Sequence, residues 1–198
     1  MNEKTYHEVA VHSPVEPTNP YVELARKALE YAVLHKRELP VPSDLPKEML
    51  QEMAGVFVSL HKFSELRGCI GTIAPTTNSV AEEIIRNAVS AGLYDPRFDA
   101  VTKDELPHLS VKVDVLKEPE SITDLSQLDV RRYGVIVSSG NRRGLLLPNL
   151  DGIDSVEQQV AIARQKAGIG TGEKIRLERF EVVRHSESNE NLRTARQN

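Results

Sequence analysis

Apolar residues recur at helical spacing in three stretches of the chain and alternate with polar ones in several others, and this pattern alone divides it into helices and strands. Val22, Ala25, Leu29, Ala32 and Val33 form one stripe; Asn19 is a good N-cap and Pro20 suits the first helical position, so a helix starts there and must stop before Pro40. The proline-rich run 40–46 reads as an extended connector, followed by a short helical turn over residues 47–53. Val56, Val58 and Leu60 alternate with Phe57, Ser59 and His61, and after a polar turn at 62–65 a second strand completes a hairpin. Ser79 and Glu82 make a capping box at the head of a helix that runs to about Gly92. Leu109, Val111, Val113 and Val115 form the cleanest half-buried antiparallel strand.

Further along, residues 119–128 are looser, and residues 133–138 and 145–147 read as a second hairpin joined by a connection over 139–144. The consecutive Leu145, Leu146 and Leu147 require burial on both faces or a partner. Ser155 opens a last helix with Gly168 as its C-cap, and residues 175–183 read as the final strand. Residues 1–19 have the composition of a poorly ordered arm, and the polar run from Ser186 that of a disordered tail. One domain over 20–185 is expected between them.

Composition narrows the function classes. With 198 residues, 39% hydrophobic and 27% charged, the chain is an ordinary globular one; no apolar run could span a bilayer, and no h-region follows the N-terminus, so a cytoplasmic location is expected. The single cysteine agrees, because it cannot form an internal disulfide. A net charge of −4 disfavours nucleic acid as a partner, and the pairs Arg131-Arg132 and Arg142-Arg143 read as solvated loop charges. Gly168, Gly170 and Gly172 follow a helix and precede a strand, the reverse of a dinucleotide fingerprint; no P-loop, zincin or nucleophile-elbow motif is present, and the six histidines lack ligand spacing.

The chemistry that remains centres on Leu66-Arg67-Gly68-Cys69-Ile70-Gly71-Thr72. In an extended strand Arg67 and Cys69 share one face, opposite Leu66 and Ile70, and a cation beside a thiol favours the thiolate. On spacing alone, a packed cysteine on a bulged strand is the commoner outcome. Asp95-Pro96-Arg97-Phe98 is a proline-bent turn whose Asp and Arg can cap backbone groups or pair with each other. His61 and His108 are the two candidate bases. Cys69 could act as a nucleophile, or join a histidine and Asp95 around a metal, and either role requires one of those histidines to reach it. The same surface could instead anchor a partner through an arginine and an aromatic.

These residues carry a family resemblance. Leu66-Arg67-Gly68-Cys69-Ile70-Gly71, Asp95-Pro96-Arg97-Phe98, Glu105-Leu106-Pro107-His108-Leu109-Ser110, Gly144-Leu145-Leu146-Leu147-Pro148 and Arg179-Phe180 follow one another as in the AMMECR1 family. The chain most resembles its prokaryotic branch, the AmmeMemoRadiSam system protein A, over roughly residues 20–185. The resemblance implies an α+β fold: a two-lobed single domain with antiparallel or mixed sheet and packed amphipathic helices. It implies no known reaction or cofactor, and it points to Memo-like and radical-SAM proteins as partners. Arg67, Cys69, Asp95, Arg97 and Phe98 fall on the family's motif positions, and His108 matches less well. Three functions are compatible with it: an enzyme built around Cys69 and Arg67, a non-catalytic adaptor, and, more weakly, RNA binding or modification.

Overall fold

A computed structural model of the protein describes residues 19–187; apart from Asn19, Ser186 and Glu187, the expected arm and tail lie outside the described residues. Helix α1 (Pro20–His35) starts where the Asn19 side chain accepts the Tyr21 N–H at 3.0 Å and ends at Lys36, which is left-handed. The short α2 (Lys47–Gln51) precedes the hairpin of β1 (Val56–Lys62) and β2 (Glu65–Gly71). Its turn residues Phe63 and Ser64 both take positive φ (51° and 74°), matching the twist of a tight two-residue turn. Helix α3 (Val80–Leu93) is capped by Ser79, whose hydroxyl accepts the Glu82 N–H at 3.2 Å. A 3-10 turn (Lys103–His108) then leads into β3 (Leu109–Leu116). The second half comprises β4 (Glu120–Ile122), β5 (Gly134–Ser139), β6 (Arg142–Leu146), α4 (Val156–Lys166), β7 (Arg176–Phe180) and β8 (Val182–Ser186).

The strands form two four-stranded antiparallel sheets, ordered β2-β1-β3-β8 and β4-β7-β5-β6. Several expectations change here. Strand β4 lies inside the segment read as irregular, because three residues are too few to show a period. The second hairpin turns on Gly140 and Asn141 alone, so Arg142 and Arg143 lie on β6, paired with Glu173 and with Glu178 (2.9 Å), and are not free loop charges. The single strand expected over 175–183 is two strands in different sheets, split at Glu181, and alternation cannot record a change of sheet. Ser186 ends β8 and Glu187 pairs with Arg26, so regular structure reaches into the run expected as tail.

Burial follows this division. Helices α1 and α3 cover one face of the first sheet, where Ala25, Leu29, Val58, Leu60, Ile84 and Val113 are sealed from solvent; α4 covers the second sheet through Val160 and Ala163 against Val135 and Val137. A third cluster, Leu116, Ile136, Leu145, Leu147 and Phe180 with Phe57 at its edge, joins the two lobes. The leucine run is thus buried on both sides, Leu146 with the α4 core and Leu145 and Leu147 between the lobes. The uncovered part of the first sheet's other face borders a cleft. Among the described residues no helix is long and apolar enough to cross a membrane.

Candidate functional site

Two glycines set the position of the β2 backbone. A Cβ on Gly68 would stand 2.1 Å from the Ala91 carbonyl oxygen, so only glycine lets the strand lie this close to α3, and a Cβ on Gly71 would stand 2.2 Å from the Phe57 ring that crosses it. Pairing proceeds Phe57–Gly71, Val58–Ile70, Ser59–Cys69 and Leu60–Gly68, then jumps to His61–Leu66, which leaves Arg67 as the extra residue of a β-bulge. The bulge overturns part of the face assignment. Leu66 lines the cleft together with Cys69, while Ile70 packs on the helical core.

Cys69 is half-buried, and its peptide is held from the loop after α3. The Cys69 N–H donates to Asp95 Oδ2 at 2.9 Å, and Arg97 Nη2 donates to the Cys69 carbonyl at 3.1 Å. Arg97 also forks onto Asp95, Nε to Oδ1 at 2.9 Å and Nη2 to Oδ2 at 2.7 Å. Asp95 and Arg97 therefore occupy the donor and acceptor that a further strand would take on the open edge of β2, which both fixes Cys69 and blunts that edge. The Arg97 guanidinium and the peptide donors hold the Asp95 carboxyl well below the usual range, outweighing the opposing effect of burial.

Arg67 serves a neighbouring network. Its Nε and Nη2 donate to the two oxygens of Glu105, both at 3.0 Å; Lys62 joins the same carboxylate at 3.0 Å, and the guanidinium lies 5.9 Å from the centre of the Phe98 ring. Arg67 hydrogen bonding is the main cause that brings Glu105 down to about 2. Arg67 is not among the residues that line the cleft. The cation bonded directly to the Cys69 peptide is Arg97.

The cleft itself encloses about 270 Å³ between the lobes. Phe57, Ser59 and His61 of β1, Leu66 and Cys69 of β2, Lys112 and Asp114 of β3 and Arg184 of β8 form one wall; residues 145–147, 149–151, and Lys166 at the end of α4, form the other, with Arg97 at the rim. Register places Cys69, Ser59 and Lys112 side by side on three adjacent strands. The Ser59 hydroxyl donates to Cys69 Sγ at 3.2 Å, a donor aimed where negative charge on sulfur would develop. His61 sits one diagonal step from Cys69 on the same face, about 7–8 Å between backbones and within reach of an imidazole. Its Nδ1 is buried without a hydrogen-bond partner among the described residues. Burial first, then the Lys112 charge, lower its pKa, against an opposing pull from Asp151, and so favour the neutral ring. Arg184 forks onto the buried Asp114 at 2.7 and 3.1 Å.

Of the residues singled out in the sequence, Cys69, Asp95 and Arg97 come together. Arg67 is adjacent but turned onto Glu105. His108 is exposed, its ring 5.7 Å from that of Phe63, and it does not line the cleft. The histidine that shares the cleft with Cys69 is His61. Asp95 is fully engaged by Arg97 and the Cys69 peptide, and among the described residues no three His, Cys, Asp or Glu side chains form a group able to hold a metal. Ser59, Lys112, Asp114, Lys166 and Arg184 carried no sequence signal of their own: Ser59 and Lys112 are the ordinary polar members of alternating strands, and only the pairing register brings them to Cys69. Glu83, in the first turn of α3 and buried at 1%, accepts the Thr72, Thr76 and Thr77 hydroxyls and the Thr76 and Thr77 N–H groups, tying down the loop after β2.

The family model described as AMMECR1 matches residues 22–185. A protein of Clostridium acetobutylicum, CA_C1420, is 51% identical over 177 residues, covering 89% of this chain and 38% of that protein. A Thermotoga maritima protein is 45% identical over 169 residues, covering 84% of this chain and 97% of its own length. The crystal structure of the uncharacterized protein PH0010 from Pyrococcus horikoshii superposes with a TM-score of 0.76 at 34% identity, over 83% of this chain and 88% of that one.

Proposed function

The chain belongs to the AMMECR1 family, and from that premise we propose that it is a cytoplasmic protein whose working site is the inter-lobe cleft, with Cys69 as its reactive group. One observation carries this reading: the thiol is half-buried at the wall of a cleft, receives the Ser59 hydroxyl at 3.2 Å, and shares its face with a neutral-leaning histidine whose Nδ1 has no hydrogen-bond partner among the described residues. A structural cysteine needs none of this. In the proposed chemistry His61 takes the thiol proton, directly or through one water, and Cys69 Sγ adds to an electrophilic, doubly bonded carbon of the substrate, whose π pair moves onto the attached heteroatom. Asp95 and Arg97 are positioning residues that hold the Cys69 peptide. Arg67, with Glu105 and Phe98, secures the bulge that turns Leu66 into the cleft.

Iodoacetamide labelling of the native protein, followed by intact mass, tests the reading. Cys69 should label in the folded state, and His61→Gln should slow labelling severalfold while leaving the thermal midpoint within a few degrees. Labelling that requires unfolding, or a rate indifferent to His61, would sink it.

We further propose that the protein works with Memo-like and radical-SAM proteins. In support, most of the Clostridium relative lies outside the matched region, so a similar domain occurs in a chain with much additional protein. A non-catalytic adaptor is the second reading, favoured by the exposure of Phe63 (69%), Tyr94 (72%) and Leu66 (43%) on and beside the motif hairpin. Pull-down of a Memo-like partner separates the two. An adaptor loses capture with Phe63→Ser and keeps its function with Cys69→Ala; the reactive site behaves in the opposite way.

A further inference from the structure

The lining of the cleft contrasts with the rest of the molecule. The chain carries a net charge of −4, yet the cleft is lined by four basic side chains, Arg97, Lys112, Lys166 and Arg184, against two carboxylates, Asp114 and Asp151. Arg184 is neutralised by Asp114 and Arg97 by Asp95. The side-chain ammonium groups of Lys112 and Lys166 have no hydrogen bond or ion pair among the described residues, and with Asp151 as the one remaining carboxylate of the lining the cleft keeps one uncompensated positive charge. His61 does not add to it, since burial and Lys112 favour its neutral form. A concave surface of surplus positive charge in an acidic protein concentrates anions.

Shape limits the anion further. Phe57, Leu66, Leu145, Leu147 and Leu150 supply apolar wall to the same cleft as the lysines and the sulfur, and about 270 Å³ lies just below the ~300–1,000 Å³ of pockets for drug-sized ligands. Lys112 stands on the rung of Ser59 and Cys69, two strand spacings from the thiol, about 10 Å along the sheet. A ligand gripped by Lys112 therefore presents its far end to Cys69.

We propose that the cleft binds a small monocarboxylate, its carboxylate held by Lys112 and Lys166 and its apolar body lying on Phe57, Leu145 and Leu147 toward Cys69. This names the ligand class of the site proposed above and takes its location from that reading. A single surplus charge matches one carboxylate, whereas a phosphate monoester would bring nearly twice the charge the cleft can balance.

NMR titration of the full chain with benzoate, benzamide and phenyl phosphate reads this directly. Benzoate should shift cleft resonances saturably and bind at least tenfold more tightly than the neutral, isosteric benzamide. Lys112→Gln and Lys166→Gln should each weaken benzoate about tenfold with benzamide unaffected, and Lys112→Arg should restore most of the loss. Both lysines are exposed, so the variants fold, which far-UV circular dichroism verifies. Equal binding of benzoate and benzamide, or benzoate binding insensitive to both lysines, overturns the proposal. Phenyl phosphate binding tenfold tighter than benzoate overturns the choice of carboxylate. The outcome is separable from thiol chemistry: benzoate binding with an unreactive Cys69 supports the ligand class and removes the reactive site, and a reactive Cys69 with no lysine-dependent binding removes the ligand class alone.

Discussion

Asp95 shows how much one side chain can fix. Its carboxylate is buried, yet it receives the Cys69 N–H, the Arg97 N–H and two guanidinium donors, so every lone pair that desolvation would orphan is used. The folded state keeps this group ionised to lower pH than the unfolded chain does. Its stabilisation is therefore complete above the unfolded carboxylate range, near pH 4, and is lost as pH falls toward the folded value. Asp95→Asn keeps the shape and one acceptor but releases Arg97, whose side chain is 53% exposed and so returns to water at little cost. The expected loss is about 1–3 kcal/mol at pH 7 by urea denaturation, shrinking relative to the unmodified protein as the buffer is taken below pH 4. A deficit constant between pH 7 and pH 3 would mean that the charge of Asp95 contributes nothing.

At the scale of elements, β2 is a strand whose two faces and one edge are each committed to a different neighbour, and this explains its two glycines. Gly68→Ala sets a methyl against the Ala91 carbonyl, which is helix backbone and cannot turn aside; about 1–3 kcal/mol or more of stability should be lost, together with native Cys69 labelling as the strand lifts off α3. Gly71→Ala meets only the Phe57 side chain, and the smaller loss expected of it in the same denaturation series provides the contrast. What was legible in the sequence follows the same division. Helices α1, α3 and α4 announced themselves through caps and stripes, β1 and β3 through alternation, and Asp95 and Arg97 through unusual company beside a proline. The glycines of the run pointed to a bulged strand, and the register shift bears that out; its position at Arg67 was not legible, because alternation assumes an unbroken register, and so Leu66 was assigned to the wrong face. Lys112 and His61 were visible as residues but not as neighbours of Cys69: the register of the β1–β2 hairpin decides which face His61 takes, and Lys112 reaches Cys69's rung only through a second strand interface.

At the scale of the whole molecule, the cleft exists because two sheets with separate helical cores meet along only part of their faces. The apolar contact of Leu116, Ile136, Leu145, Leu147 and Phe180 closes one part, and Arg184 bridges the other. From β8 of the first sheet it forks onto Asp114 and reaches the carbonyls of Pro148 and Asn149, each at 3.4 Å, in the segment that follows β6 of the second lobe. The same interaction that neutralises Asp114 thus sets the spacing between Lys112 on one wall and residues 145–151 on the other. Arg184→Met retains the aliphatic stem but leaves the Asp114 carboxylate, 4% exposed, without its counter-charge. The expected cost is about 2–4 kcal/mol, toward the low end for a broken buried pair because Arg184 itself is 30% exposed. The double change Asp114→Asn with Arg184→Met should recover part of that stability, since the orphaned charge is gone, but not the link to the second lobe. Hydrogen exchange distinguishes these consequences: in the double variant the amides of β3 should regain protection while those of residues 147–151 stay faster than in the unmodified protein. Full recovery of both segments would show that Arg184 balances a buried charge and does not hold the lobes, in which case the apolar cluster alone sets the width of the cleft.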